Sequence, residues 1–411
     1  MVWLHSCCVS KRTNSPRISS LTTAFSVPIL VALFGAAPLC AQQCADSTSC
    51  HSANGVGVIA ADQQPGADGC ARVNASWSAL PATGGVVDAR WITATQPCAS
   101  DPFEEVAKTG ETLLGGATFQ TSATWVLGDK SIVQGIGRGD SGSTNTVIQA
   151  APNLSGPVLQ LASNNSAFEG VRAKDLTIDC NANQAATGVL NNVAQEESGL
   201  RHVLIVGCTK IGLDIEDGSQ NSSYDDIEVL SAGSSNSARP VVVNTRGPLR
   251  GVHGLTVNTW SEPYPNIAMQ IRSMGSYTDM HCEGAFTCFY VDANNVTLVN
   301  IECGPNVSTC VLIAPGVRNL TIMGLYSSVS GGVMIENEAV SPAQVLTGAT
   351  DGYGVGWYAV GDGTPTGVCS SSTYVTCTFR MPAPPPQSLP IQDPIGPRRP
   401  TSPRLAVPER Q

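Results

Sequence analysis

The sequence predicts an all-β fold, a right-handed parallel β-helix (solenoid) with a short N-terminal capping helix, on three grounds: composition, a repeat of short strands, and the placement of cysteines. Charged residues are only 13% and aromatics 5% of the 411 residues, while 41 glycines suit short strands joined by turns better than long amphipathic helices. The repeat starts at Leu176-Thr177-Ile178-Asp179-Cys180 and has the form apolar, any, apolar, any, small. Its second apolar position recurs at Ile178, Val206, Val229, Val257, Met280, Ile301 and Ile322, in steps of 28, 23, 28, 23, 21 and 21 residues. This register turns Val206 and Ile301 inward and Thr321 outward.

A second short strand follows in each unit, at Val189-Leu190, 211–215, 241–243, 267–271, 289–291, 311–313 and 333–335. Two strands per unit, at a period in the twenties, describe a β-solenoid whose coils bury their apolar side chains only by stacking on one another. A sandwich of hairpins would need two-residue turns between paired strands, and Asp217-Gly218, Asp351-Gly352 and Asp362-Gly363 do not stand between strands of the ladder. Leucine-rich repeats would need Leu at fixed offsets, which are absent.

The cysteines follow the same register. Cys180 and Cys208 hold one repeat position in successive units, as do Cys282 and Cys303, and Cys288 and Cys310 open two successive second strands. Bridges between stacked coils and bridges within one turn (Cys282 to Cys288, Cys303 to Cys310) are both compatible with this spacing. Cys369 and Cys377 form a further candidate pair. Zinc is a poor alternative, because no two cysteines have C-x-x-C spacing and the chain has five histidines in all.

The ends of the chain read differently from its centre. Residues 1–41 carry Lys11, Arg12 and Arg17 before an apolar stretch from Ala24 to Ala37, then Leu39-Cys40-Ala41, the pattern of an export signal cleaved after Ala41. The apolar stretch contains Pro28 and falls short of the roughly 20 residues that span a bilayer, so no membrane span is expected. Loss of Cys7, Cys8 and Cys40 with the leader leaves twelve of the 15 cysteines, an even number suited to a secreted (extracellular or periplasmic) protein. Residues 42–67 read as a flexible segment, 68–340 as the β-helix, 341–380 as a small β extension closed by Cys369 and Cys377, and 381–411 as a Pro-rich disordered tail.

Charge excludes some partners. Of the 22 basic residues three lie in the leader and four in the tail, and of the 32 acidic ones two lie in the tail, so residues 42–380 carry 15 basic against 30 acidic groups. Such a surface repels nucleic acid and anionic membranes, and also polyuronates unless cations bridge the two. The run Gly135-Ile136-Gly137-Arg138-Gly139 lacks the third glycine and following helix of a dinucleotide site and reads as a tight turn.

Upstream of the ladder, Asp68 to Leu80 is a modest helical stretch ending at Pro81, followed by Gly84-Gly85-Val86-Val87-Asp88-Ala89, then by 131–139 with its Gly-x-Gly, then by Thr146-Val147-Ile148. In this order of elements, from about Gly69 to Ile335, the chain resembles the pectate-lyase-like superfamily, of the pectate lyase 3 or rhamnogalacturonase type. The resemblance implies a helix that covers the open end of the solenoid, and polysaccharide as the partner. It does not carry a catalytic set. Asp225-Asp226, Asn244-Thr245-Arg246 and Val252-His253-Gly254 are similar to polygalacturonase motifs but stand in the wrong order, with Arg246 in place of an Asp and no Arg-Ile-Lys. No acidic calcium-ligand set with an Arg base, as pectate lyases use, aligns either.

What remains is placement on the ladder. Residues between inward positions point outward, so Asp279 and His281 share one strand face, with Asn300 and Glu302 beside them on the next coil and Asn258 on the coil before. The expected site is therefore Asp279, His281 and Glu302 as acid–base groups, with Asn258 and Asn300 binding substrate. Glu283 and Asp292 nearby offer oxygen atoms of the kind calcium takes, and calcium is the one cofactor the sequence suggests. The expected function is a polysaccharide-binding or polysaccharide-degrading protein, lyase or glycoside hydrolase, and the alternative is a non-catalytic extracellular β-helix with a structural or adhesive role.

Overall fold

The computed structural model describes residues 57–327, apart from 105–107, 140–143, 164–166, 182–184, 231, 233–234 and 260–261, together with the strands Cys50–His51, Val333–Asn337, Val345–Asp351 and Gly354–Val360. The expected leader, the tail, Cys369 and Cys377 lie outside the described residues. The chain winds as a parallel β-solenoid of right-handed type with two long sheets, one of 17 strands and one of nine. The nine strands are the second strands of the repeat, from Trp125–Leu127 to Val333–Asn337.

The other sheet holds a feature that apolar spacing does not reveal. Its central strands, Arg172–Asp179, Gly199–Val206, Ser223–Leu230, Gly251–Asn258, Gly275–Glu283, Val296–Cys303 and Thr321–Ser327, each bend at one residue in the left-handed region. These residues, with φ between 52° and 69°, are Asp175, His202, Asp226, Gly254, Asp279, Asn300 and Gly324, and they stack from coil to coil. The occupants suit the conformation: glycine carries no Cβ, and Asp, Asn and His are the side chains most often found there. Each coil thus has a third flat run, the arm upstream of the bend, which buries Ala173, Leu200, Tyr224, Val252, Tyr277, Leu298 and Ile322. The downstream arm buries Leu176, Val203, Ile227, Leu255, Met280, Ile301 and Leu325.

This bend corrects the register read from spacing. Ile178 pairs with Ile205, so Val206 points outward and Ile205 is the fully buried residue. Met280 stacks on Leu255, one inward position upstream of Val257, Ile301 pairs with Met280, and Ile322 pairs with Leu298 on the far side of the bend. A residue with positive φ breaks strict alternation, and turns of unequal length separate the coils, so a constant pattern of apolar pairs does not identify stacked partners.

In the first coils the two arms are separate strands. Arg172–Asp179 pairs through its upstream arm with Ser131–Gln134 and through its downstream arm with Thr146–Ala150. Between those two strands Gly135 to Gly139 passes over the outer side of the next coil, which matters for the site below. The ladder also starts earlier than the sequence suggests: Gly57–Ala60, within the expected flexible segment, pairs in parallel with Gly85–Ala89. At the other end Val345–Asp351 adds to Thr321–Ser327 and turns back as Gly354–Val360 in antiparallel pairing.

The capping helix spans Gly69–Ala79, with the Asp68 carboxylate accepting from the Ala71 N–H at 2.8 Å as its N-cap. It stops before Pro81, and Lys108 Nζ donates to the carbonyls of Trp77, Ser78 and Leu80, groups that a helix end leaves open. Trp77 is fully buried, donates to Thr112 Oγ1 at 2.9 Å, and meets Phe103 edge-to-face, with Trp125 and Phe119 continuing the cluster. The helix therefore packs its buried side, Cys70, Val73 and Trp77, against the first strands of the stack.

Among the described residues four disulfides hold this framework. Cys180–Cys208 joins successive coils, whereas Cys282–Cys288 and Cys303–Cys310 each close one turn, so one bridge runs between stacked coils and two lie within turns. Cys70–Cys98, not foreseen as a pair, ties the capping helix to the strand Ala94–Cys98, at the same separation of 28 residues as Cys180–Cys208. Because a longer closed loop restricts the unfolded chain more, the Cys180→Ser/Cys208→Ser variant should lose about 3 kcal/mol and Cys282→Ser/Cys288→Ser about 2 kcal/mol. Chemical denaturation of the oxidised variants measures both.

On the outer side of the nine-stranded sheet, Asp214 stands between Leu190 and Val242 of the adjacent strands. Burial, with Glu216 adding repulsion, pushes its carboxyl up to about 6. The folded state therefore favours the protonated form, so this stabilising contribution is full below the unfolded value of 3.8 and is lost as pH rises through about 6. Asp214→Asn should raise the melting temperature near pH ~8 and leave it unchanged near pH ~4. Equal effects at both pH values would contradict this assignment.

Candidate functional site

The bend column and its flanks gather the ionisable groups of the outer face. His202, His253 and His281, the three histidines between residues 172 and 303, all lie there, and each stands between two carboxylates. Stacked strands lie roughly 4.8 Å apart, so side chains at one position on successive coils come within bonding reach. A neutral imidazole has a single N–H and satisfies one carboxylate, whereas imidazolium satisfies both.

Three networks result. In the first, His202 Nδ1 lies 2.9 Å from Asp175 Oδ1 and its Nε2 3.9 Å from Asp226 Oδ2, with Gln134 at the Asp175 end and Arg138 at the Asp226 end. The second runs over five coils as Arg201, Asp225, His253, Asp279 and Asn300: Arg201 Nε is 3.5 Å from Asp225, His253 bridges Asp225 at 3.2 Å and Asp279 at 2.9 Å, and Asn300 Nδ2 donates to Asp279. In the third, His281 bridges Glu283 at 3.0 Å and Glu302 at 3.2 Å, and Asn258 Nδ2 donates to Glu283 at 2.9 Å.

The residues expected from the sequence are thus divided. His281 and Glu302 meet, with Asn258 joined to them through Glu283, while Asp279 and Asn300 belong to the network of His253. Asp279 sits at the left-handed bend, which turns its side chain away from His281, and no hydrogen bond or ion pair joins the two among the described residues. Sequence reasoning missed His202, His253, Asp175 and Arg138. For Asp175 and His202 the signal was present as Asp or His directly before an inward apolar residue, Leu176 and Val203, and for His253 as His two residues before Leu255, but it becomes readable only once the bend residue is placed.

The calcium expectation does not fit the geometry. Glu283 is engaged by His281 and Asn258, while Asp292 pairs with Arg272 at 3.4 Å. Among the described residues no three His, Cys, Asp or Glu converge as a metal ion requires.

Chemically, the face offers paired carboxylates, imidazoles and amide groups in a row across the coils, an arrangement suited to hydrogen bonding a long polar chain and to moving protons along it. The coil itself is the identification the geometry supports. It is a parallel β-helix. No family model matches the chain, and no curated protein matches it. Among solved structures it is similar to ORF18 of Geobacillus virus E2, with a TM-score of 0.45 and 9% identity over 73% of this chain and 63% of that one. The chain thus spans less than two thirds of that structure's length.

Proposed function

We propose that this chain is an exported polysaccharide-binding β-helix of the pectate-lyase-like kind, and that it also cleaves the bound chain as a lyase or glycoside hydrolase. The observation that carries this reading is the row of three histidines, each between two carboxylates, along one outer face. A glycan lying across the coils meets a new set of polar groups on each. In this reading His281 and Glu302 exchange protons with the substrate, Asp279 acts beside them through the neighbouring network, and Asn258 and Asn300 hydrogen bond sugar hydroxyls. The leader-like residues 1–41 and the four disulfides support export.

A non-catalytic structural or adhesive role is favoured by one observation of its own: the carboxylates of Asp279, Glu283 and Glu302 already have partners within the face. The experiment that tests the reading is a screen of the mature protein against neutral and acidic polysaccharides, with and without calcium. Ultraviolet absorbance detects unsaturated lyase products and a reducing-end assay detects hydrolysis. Binding with neither product selects the non-catalytic form, and the absence of both binding and product rejects the polysaccharide reading.

A further inference from the structure

The first network borders a hollow in the outer face, whose walls also take in Arg201 and Asp225 of the second. Gly135–Gly139 leaves the strand Ser131–Gln134 at the bend and runs along the outer edge of Arg172–Asp179. Gly137 N–H donates to the Asp175 carbonyl at 3.0 Å, and Gly139 exchanges hydrogen bonds with Thr177 Oγ1. From there Arg138 reaches past the coil of His202 to the strand Ser223–Leu230. Its guanidinium donates to the Asp226 carbonyl and lies 3.1 Å from Asp226 Oδ1 and 3.8 Å from Glu228. Beside this strap is a hollow of about 500 Å³, with Gln134, Lys174, Asp175, Arg201, His202, Asp225 and Asp226 in its walls. That size falls within the range of small-ligand sites.

The walls decide what enters. Their side chains mix donors and acceptors: carboxylates accept, Gln134 and His202 do both, and Lys174 and Arg201 donate. Vicinal hydroxyls, which also donate and accept, are matched by such a set. An anionic group is not matched. Lys174 already faces Glu111 at 3.1 Å, Arg201 faces Asp225 and Arg138 faces Asp226, so every cation at or beside the hollow has a carboxylate against it. With Glu111 and Glu228 counted beside Asp175, Asp225 and Asp226, five carboxylates stand against these three cations, and the excess of negative charge repels a sugar carboxylate.

We infer that this hollow grips an uncharged sugar unit, and that the glycan engaged by the outer face is a neutral polysaccharide rather than a polyuronate. The inference rests on the polysaccharide reading above and names its substrate class and gripping point. Asp175, His202 and Asp226 touch the sugar, and Arg138 is a positioning residue that fixes the Asp226 carboxylate toward the hollow.

Affinity electrophoresis of the mature protein in gels containing xylan, mixed-linkage glucan, galactan or polygalacturonate, all with a chelator to remove bridging cations, tests it. At least one neutral glycan should retard the protein and polygalacturonate should not. Asp175→Asn and Asp226→Asn, which preserve shape, should each weaken that retardation roughly tenfold or more, the usual loss for a hydrogen bond to a charged group. Arg138→Ala should weaken it and Arg138→Lys should restore part of it, while Arg246→Ala, on an exposed turn away from the hollow, should bind as the parent does. Circular dichroism confirms that each variant is folded. Retardation by polygalacturonate equal to that by any neutral glycan overturns the substrate class. Neutral-glycan retardation unchanged in both Asp variants overturns the gripping point and leaves the polysaccharide reading standing. No retardation by any of the four glycans removes that reading and this inference with it.

Discussion

Replacing Ile205 or Ile301 with Asp should destabilise the fold by about 4 kcal/mol or more, because each side chain is fully buried and a carboxylate there has neither water nor a partner. The neighbours provide the contrast. Val206 and Thr321 point outward, so Val206→Asp and Thr321→Asp should change stability by only about 0.5 kcal/mol. Urea denaturation of the four variants checks the register directly, since a slip of one residue moves every inward side chain to the surface. If Val206→Asp proves as damaging as Ile205→Asp, the pairing of Ile178 with Ile205 is wrong.

The pair Ile205 and Val206 also shows how far the fold is legible in the sequence. Leu204, Ile205 and Val206 are all apolar, so alternation alone offers two registers, and the choice depends on a bend residue, His202, that looks unremarkable in the sequence. The second strands raise no such difficulty: Ile211–Ile215 and Val241–Val243 fall where the apolar runs place them, because short runs bounded by turns leave little freedom. The capping helix was readable from Asp68 and Pro81 for the same reason, as both are terminators with a defined physical effect. Cys70 and Cys98 could have been paired by analogy with Cys180 and Cys208, but sequence separation alone does not establish that their coils are adjacent.

The site was legible only in part, and on physical grounds. His281 and Glu302 follow the pleat of adjacent strands, and simple alternation brings them together. Asp279 does not follow it, because left-handed backbone at that residue redirects the side chain toward His253. The partners supplied by Arg138 come from a segment far upstream, whose path over the outer face is set by extra residues at the bend and not by any periodicity.

If the chain cleaves polysaccharide with the groups assigned above, His281→Ala and Glu302→Gln should each lower the rate roughly a hundredfold or more, the usual contribution of a positioned acid or base. Both side chains face outward and contribute little to the core, so the far-ultraviolet circular dichroism and melting temperature should stay close to those of the parent. Asp279→Asn separates two arrangements. It keeps the shape of the His253 bridge and removes its charge, and because no bond joins Asp279 to His281, its effect should be smaller than that of Glu302→Gln and should multiply with it in the double variant. A double variant no slower than Glu302→Gln alone would show that Asp279, His281 and Glu302 act as one unit despite the bend. Full activity in both His281→Ala and Glu302→Gln would instead assign proton transfer to another network, and the trio of Asp175, His202 and Asp226, beside the Arg138 strap, is the one to which it would pass.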